Sequence, residues 1–375
     1  MTAGDTIPKN PVPLPGTFWG ITTFFNPAGY RNKSENYRIF RESSKKQGLK
    51  LLALELAFGK RPFELGTEDA DILIQLRTKK ENILWQKEAM LNIGLKNLPP
   101  DCDKFIWLDC DIIFKNDGWI SETSALLERY SLVQPFRYFI KLPKGKRDLG
   151  SREINELICR EKKGDNTSMK DIENKSKIKS HIDPNARGIW AARREILDTI
   201  HFFDYAIVGS GDTFMFYGFT NFNPITLTQL DFYPGTFRHK YLKWYEIAVK
   251  EIKGSVYVSE GYVLHLWHGK IKNREYLGRH KRICEANYNP DTDIKKDEQG
   301  LWVWTGKNKV LQRVVRRYFV KRNEEDSLVF TLYLFPNRFY REYANFFGPK
   351  LKQNYPELYS SYHKILKTVK RIRMI

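Results

Sequence analysis

An α/β fold with a mostly parallel central sheet flanked by helices is what this sequence predicts, and three observations predict it. Apolar runs such as LKLLALELAF (49–58), ADILIQL (70–76) and FIWL (105–108) carry apolar residues on both faces, the pattern of strands covered from both sides. Helix-like stretches fall between them, so strand and helix alternate. Polar residues stand at the strand ends, at Asn26, Glu55, Asp109 and Asp111, and open parallel sheets bind ligands beyond the carboxyl ends of their strands.

The elements follow in order. Residues 1–16 are polar and proline-rich and read as a disordered lead. GTFWGITTFFN reads as a strand ending near Asn26, and the Pro-Ala-Gly after it as a turn. Residues 31–47 fit a helix closed by Gly48. A second helix is expected from about Asn82, a capping residue, to Asn97, with Leu84, Leu91, Leu95 and Leu98 at helical spacing and Pro99-Pro100 as its stop. A helix at about 119–130 and a strand at 131–136 come next. Residues 141–183 are charged and weakly periodic, and read as a long insertion over the site, functional or disordered. Apolar structure resumes at GIWAARREILD (188–198), with a helix near 192–200, and GYVLHLWHGK (261–270) reads as a strand running into a turn. From about residue 306 the chain is strongly basic, so 291–375 is expected to form a basic, aromatic-rich helical extension.

Composition narrows the function classes. The chain has 375 residues, 41% of them hydrophobic and 14% aromatic, enough for a substantial core. Its net charge of +19 attracts polyanions: nucleic acid, anionic lipid or phosphorylated substrates. The four cysteines, Cys102, Cys110, Cys159 and Cys284, form no CxxC pair, which argues against a zinc module. A reduced state and the lack of a signal-like or membrane-spanning run predict a cytoplasmic protein. Its basic tail offers peripheral contact with anionic lipid at the inner face of a membrane.

The chemistry centres on FIWLDCDIIF (105–114). Residues i and i+2 of a strand share a face, so Asp109 and Asp111 are expected to converge. Two carboxylates that close repel unless a cation joins them, and a hard divalent ion, Mn²⁺ or Mg²⁺, fits both the acids and phosphate oxygens. His265 and His268 flank Trp267 beside a glycine turn and are candidate further ligands, with imidazole favouring Mn²⁺. Lys87, in LWQKEAMLN, lies toward the start of a helix whose N-terminus should face the ligand rim, where it can touch a diphosphate or remain a solvated surface lysine. Glu55 can accept from a ribose or a base, or pair with a buried arginine. Trp190 can stack on a sugar or serve the core. Arg274, Tyr276 and Arg279 follow in NREYLGR, a basic stretch suited to a diphosphate.

The order of LDCD (108–111), VGSGD (208–212) and HLWHG (265–269) resembles that of the GT-A-type glycosyltransferases over about 17–290. The resemblance implies a GT-A-like, Rossmann-type catalytic domain that moves a sugar from a nucleotide-diphosphate donor, first among them a UDP-sugar, to a glycan or lipid-linked acceptor hydroxyl. It implies metal ligation by the acids of LDCD, Asp109 and Asp111, and by the histidines His265 and His268; from their places at the rim, Thr23, Asn26, Glu55, Lys87, Asp109 and Arg274 are the expected donor contacts. The acceptor side is expected at Trp190 and Arg193. Asp212 takes the catalytic-base position of inverting members, although this chain has GSGD where the better-known form has an acid pair.

Two other classes compete. A haloacid-dehalogenase-type phosphatase also carries DxD after an apolar strand, with Asp109 as nucleophile, but Ile113 stands where its hydroxyl residue is expected. A basic nucleic-acid binder fits the charge, yet no RNP-like, KH or zinc pattern supports it.

Overall fold

The apolar runs fold as their two-faced pattern dictates. In the computed structural model, which describes residues 11–162, 181–182 and 188–326, four strands form first: β1 (Thr17–Phe25), β2 (Lys50–Phe58), β3 (Ile72–Thr78) and β4 (Cys102–Leu108). They are parallel and lie side by side in the order β3-β2-β1-β4. Along β2, Leu52, Leu54 and Leu56 enter one core, while Leu51 and Ala53 enter another on the opposite face. A period of two with both sides apolar is the signature of a sheet covered twice.

The first two helices are crossovers, α1 (Arg31–Lys46) between β1 and β2 and α2 (Lys87–Lys96) between β3 and β4. Gly48 closes α1 as expected, with φ of 79° and its N–H on Lys45 O at 3.0 Å. The second helix starts five residues later than Asn82. Asn82 caps nothing: its amide donates to Thr78 Oγ1 at 3.0 Å and accepts from Trp304 N at 3.3 Å. Gln86 bonds both backbone groups of Trp302, at 2.6 and 3.1 Å. These long-range partners hold 82–86 out of the helix.

The chain continues through β5 (Ile112–Phe114), α3 (Trp119–Leu127), β6 (Leu132–Gln134), β7 (Tyr138–Lys141), α4 (Ser151–Lys162) and β8 (His181–Ile182). Then come β9 (Trp190–Arg193), α5 (Arg194–Ile200), α6 (Gly211–Phe219), α7 (Thr228–Phe232), α8 (Gly235–Ile252), β10 (Val256–Val258) and β11 (Tyr262–His265). The described chain closes with α9 (Gly278–Glu285), α10 (Pro290–Asp293), β12 (Ile294–Lys296), β13 (Trp302–Trp304) and α11 (Lys309–Lys321). The main sheet has seven strands in the order β10-β6-β9-β4-β1-β2-β3, with β9 antiparallel to both its neighbours. A second sheet, β5-β11-β7-β8, sits beside the end of β4. The strand β9 was not expected: four residues, WAAR, precede the helix read near 192–200.

Residues 11–16 of the lead are tied down, with Gly16 N on Asp103 Oδ2 at 2.6 Å and Lys104 Nζ on Gly16 O at 2.8 Å. Within the insertion, Leu149 and Ile154 are buried against Leu264 and Leu266 of the second sheet; its residues 163–180 and 183 lie outside the described residues. The described part of the basic extension is not separate from the domain. Leu301, Trp302, Leu311, Val315 and Phe319 join the larger core with β1, β2 and α2. The basic tail at 355–375, the expected membrane contact, also lies outside the described residues, and among those described no helix is long and apolar enough to cross a membrane.

Gly94 sets the approach of α2 to the sheet. A Cβ there would stand 2.8 Å from both Ile21 Cγ2 and Leu54 Cδ1. Alanine gains ~1 kcal/mol of helix propensity, but overpacking costs ~1–3 kcal/mol. Gly94→Ala is therefore expected to lower unfolding free energy by ~1 kcal/mol in urea, whereas a more stable variant would mean that α2 can lift off without loss.

Candidate active site

The strand order turns at β1, with β2 on one side and β4 on the other, so the crevice between the carboxyl ends of β1 and β4 is a topological switch point. Thr22 Oγ1 donates to Leu108 O at 2.9 Å and fixes the two ends together. A cleft of about 570 Å³ opens there, lined among others by Thr23, Lys87, Asp109, Asp111, Asp212 and Arg274.

The two aspartates do not share a strand face. Residues 109–111 form a turn between β4 and β5, and the acids go to different partners. Asp109 forms an ion pair with Lys87, the first residue of α2. Burial alone would lower the Lys87 ammonium, but the Asp109, Asp212 and Glu88 carboxylates hold it above the usual lysine range. Because β9 runs antiparallel to β4, its entry residue Gly188 lies beside Asp109. A Cβ at Gly188 would be 3.3 Å from Asp109 Oδ2, 3.6 Å from Asp212 Oδ2 and 3.6 Å from Lys87 Nζ. Asp109, Lys87 and Asp212 thus surround one point.

Asp111 turns instead toward β11. Its carbonyl accepts Leu266 N at 2.8 Å, which extends the antiparallel β5–β11 ladder and draws both histidines in. Asp111 Oδ1 is 3.5 Å from His265 Nε2, and Asp111 Oδ2 is 3.4 Å from His268 Nε2. The two Nε2 atoms are 2.9 Å apart. One ligand atom from each residue lies within 4.8 Å of the others. Asp111 Oδ1 is buried with no hydrogen-bond partner, so an acceptor is left over at the centre of this cluster. His268 is pushed down to about 3 by burial and by the Arg274 guanidinium, so its ring is neutral and retains a lone pair for a cation. The donor set of one carboxylate and two imidazoles therefore fits a divalent ion, Mn²⁺ better than Mg²⁺. Asp109, expected as a fourth ligand, is not in the cluster because Lys87 holds it.

Asp212 opens α6 after a strained turn. Ser210 has φ of 71°, a left-handed conformation that a non-glycine residue adopts at a cost. Its Oγ is held by Arg279 and by His280 Nε2 at 3.0 Å, and His280 Nδ1 meets Tyr233 OH at 2.6 Å. Glu88 packs against Gly211, where a Cβ would come within 2.3 Å of its Oε1. Burial pushes the Glu88 carboxyl up to about 8.

Several expected residues are elsewhere. Asn26 closes a turn, accepting Tyr30 N and donating to Tyr30 O, both at 2.9 Å. Glu55 accepts Glu64 N at 2.5 Å, Leu65 N at 3.2 Å and Gln75 Nε2 at 3.0 Å, so it braces a loop; burial raises its carboxyl. Neither lines the cleft. Trp190 is 1% exposed and packs on Phe216 and Phe219 in the core, not in the acceptor region. Arg193 donates to Leu127 O at 2.7 Å and to Glu128 O at 2.9 Å, carbonyls at the end of α3, the second of which also accepts Val12 N at 2.8 Å. Both sit in β9, in the middle of the sheet. Glu88, Gly188, Arg322 and Glu324 line the cleft although sequence reasoning passed them over. Arg322 and Glu324 are buried and paired, and an acid–base run, KRNEED, straight after an amphipathic helix was their only sequence signal.

No protein-family model and no curated protein matches the chain. Solved structures similar to it include glycosyltransferases. One is glucosyl-3-phosphoglycerate synthase from Mycobacterium tuberculosis with Mn²⁺, UDP and glucosyl-3-phosphoglycerate, at 12% identity over 72% of this chain and 78% of that one, TM-score 0.37. Another is the catalytic domain of Drosophila β1,4-galactosyltransferase 7 with xylobiose, at 14% identity over 53% of this chain and 58% of that one, TM-score 0.29. At such low identity and overlap, function has to be read from the side chains of this chain.

Glu88 gives a pH test. Its carboxyl ionises near 4.5 in an unfolded chain but near 8 in the fold. The stability it contributes is full below the unfolded value and is lost as pH rises through the folded one. The melting temperature of wild type relative to Glu88→Gln is expected to fall between about pH 4.5 and 8 and then level off; parallel curves would contradict a buried neutral acid.

Proposed function

We propose that this chain is a metal-dependent glycosyltransferase that moves a sugar from a nucleotide-diphosphate donor to an acceptor hydroxyl on a glycan or lipid-linked saccharide. The observation that carries the proposal is the convergence, at the β1/β4 switch point, of Asp111, His265 and His268 with the Asp109–Lys87 pair and Asp212. A divalent cation, held by Asp111, His265 and His268, neutralises charge on the diphosphate leaving group when bound.

The chain's own residues do the rest. The positive N-terminal end of α2 and Lys87 favour an anion at the rim. Arg274 Nη2 lies against both ring nitrogens of His268, 2.9 Å from Nδ1 and closer still to Nε2, the nitrogen nearer Asp111. Were a cation held at Nε2, the ring hydrogen would sit on Nδ1, on the side of the Glu324 carboxylate. Arg274 would then give up its place on the ring to the cation and turn to the diphosphate, for which its forked donors are suited. Asp212 is the base: its carboxylate faces the cleft beside Gly188 and takes the proton of the attacking hydroxyl. Attack from the Asp212 side inverts the anomeric carbon. Gly188 keeps that space open for the sugar.

The test is a thermal-shift panel of UDP, GDP and CMP with and without Mn²⁺. Wild type is expected to be stabilised by one nucleotide in a metal-dependent way, and Asp111→Asn to lose that shift. No metal-dependent shift with any nucleotide would remove the proposal. Asp212→Asn is expected to cut turnover by ~10²–10⁴-fold while nucleotide binding persists, as for loss of a general base; unaltered turnover would exclude it as the base.

A further inference from the structure

We infer that Arg279 forms an oxyanion subsite on the acceptor side of the cleft, so that the acceptor carries a phosphate or carboxylate near its reacting hydroxyl. The inference rests on the glycosyl-transfer reading for the word acceptor, but the subsite itself rests on Arg279.

Arg279 is 5% exposed, yet it lines the cleft. Its Nη1 donates to Tyr318 OH at 2.5 Å and its Nη2 to Ser210 Oγ, neither of them a carboxylate; Tyr318 OH also accepts Arg322 Nη1 at 3.0 Å, and against the effect of burial the two guanidiniums draw its phenol below the usual tyrosine range. Its Nε is buried with no partner. Among the described residues no carboxylate forms an ion pair with it, whereas Lys87 has Asp109 and Arg322 has Glu324. A guanidinium removed from water without a carboxylate, and sharing its phenol with a second arginine, is a costly arrangement. Rings of Tyr276 and Tyr318, 5.2 and 5.5 Å from its centre, lessen that cost without cancelling the charge. An anion delivered from the cleft completes the site.

Its position tells which substrate supplies the anion. Arg279 is tied to Ser210, two residues before Asp212, and its Nη1 would be 3.6 Å from a Cβ at Gly209. Arg274, by contrast, lies on His268 in the metal cluster, where the diphosphate is expected. An oxyanion on Arg279 therefore stands on the side of the proposed base. The planar guanidinium suits phosphate and carboxylate alike.

The probe is inorganic sulfate, which stays soluble with Mn²⁺, titrated into the full chain at constant ionic strength with and without saturating UDP and Mn²⁺. We expect a saturable rise in melting temperature that persists when UDP and Mn²⁺ are present, and an apparent affinity at least tenfold weaker in Arg279→Gln but partly kept in Arg279→Lys. Should Arg279→Gln fail to fold, the wild-type competition decides alone. A sulfate shift abolished by UDP and Mn²⁺ would assign the anion to the donor diphosphate and overturn the inference, as would a shift unaffected by Arg279→Gln or no saturable shift at all. If UDP and Mn²⁺ give no shift while the Arg279-dependent sulfate shift stands, the glycosyl-transfer reading fails and the oxyanion subsite survives.

Discussion

The antiparallel ladder between β5 and β11 is the interaction on which the cleft depends. β4 ends at Leu108, the chain turns through Asp109–Asp111, and β5 then leaves the main sheet to pair with β11. The register His265↔Ile112, continued by Leu266 N to Asp111 O, sets a histidine strand from far along the chain against an aspartate. Backbone bonds thus fix where three polar side chains meet, and apolar Ile112, Val263 and Leu264 bury the ladder from water. Rotamers only refine a convergence that sheet pairing has already made.

A cleft so rich in buried charge is an expensive thing to fold around. Glu88, Lys87, Arg279 and Glu324 are all nearly inaccessible, and Ser210 holds a strained backbone angle beside them. Groups of this kind persist only when their surroundings over-determine them. The surroundings here are aromatic. Phe203, Phe214, Phe237 and Tyr241 meet largely edge to face behind α6, with centroids 5.1–5.7 Å apart for the contacts of Phe203 and Phe214. That cluster anchors the helix bearing Asp212, so the strained turn and its buried charges rest on a block of packed rings.

The sequence made the scaffold legible where one physical rule acted alone. β1 to β4 follow from apolar residues on both faces, and the location of the acids follows from strand ends. Reading failed where a distant partner overrode the local signal. Asn82 has the chemistry of a cap, but Trp304 claims its oxygen from 222 residues along the chain. Trp190 and Arg193 look like binding residues because a four-residue strand containing an arginine carries no periodicity, and only the sheet order reveals that both lie at its centre. Asp109 and Asp111 seemed to share a metal because spacing of two means one face in a strand; in a turn it does not. Arg322 and Glu324 could not be placed at all, since nothing local says that the end of a basic helix returns to the first strand.

That return has a consequence for how the cleft comes into being. Tyr30 OH donates to Phe319 O at 2.7 Å and Asn32 Nδ2 to Glu324 O at 2.6 Å, so residues 319–324 close one wall over the turn after β1. During synthesis the sheet and the histidine strand emerge from the ribosome well before that wall. The nascent chain lacks Arg322 and Glu324, and with them Leu311, Val315 and Phe319 of the larger core, until more than three hundred residues have been translated. The cleft is therefore timed as well as placed: its last wall comes from the end of the described chain, and a half-made molecule has no finished site.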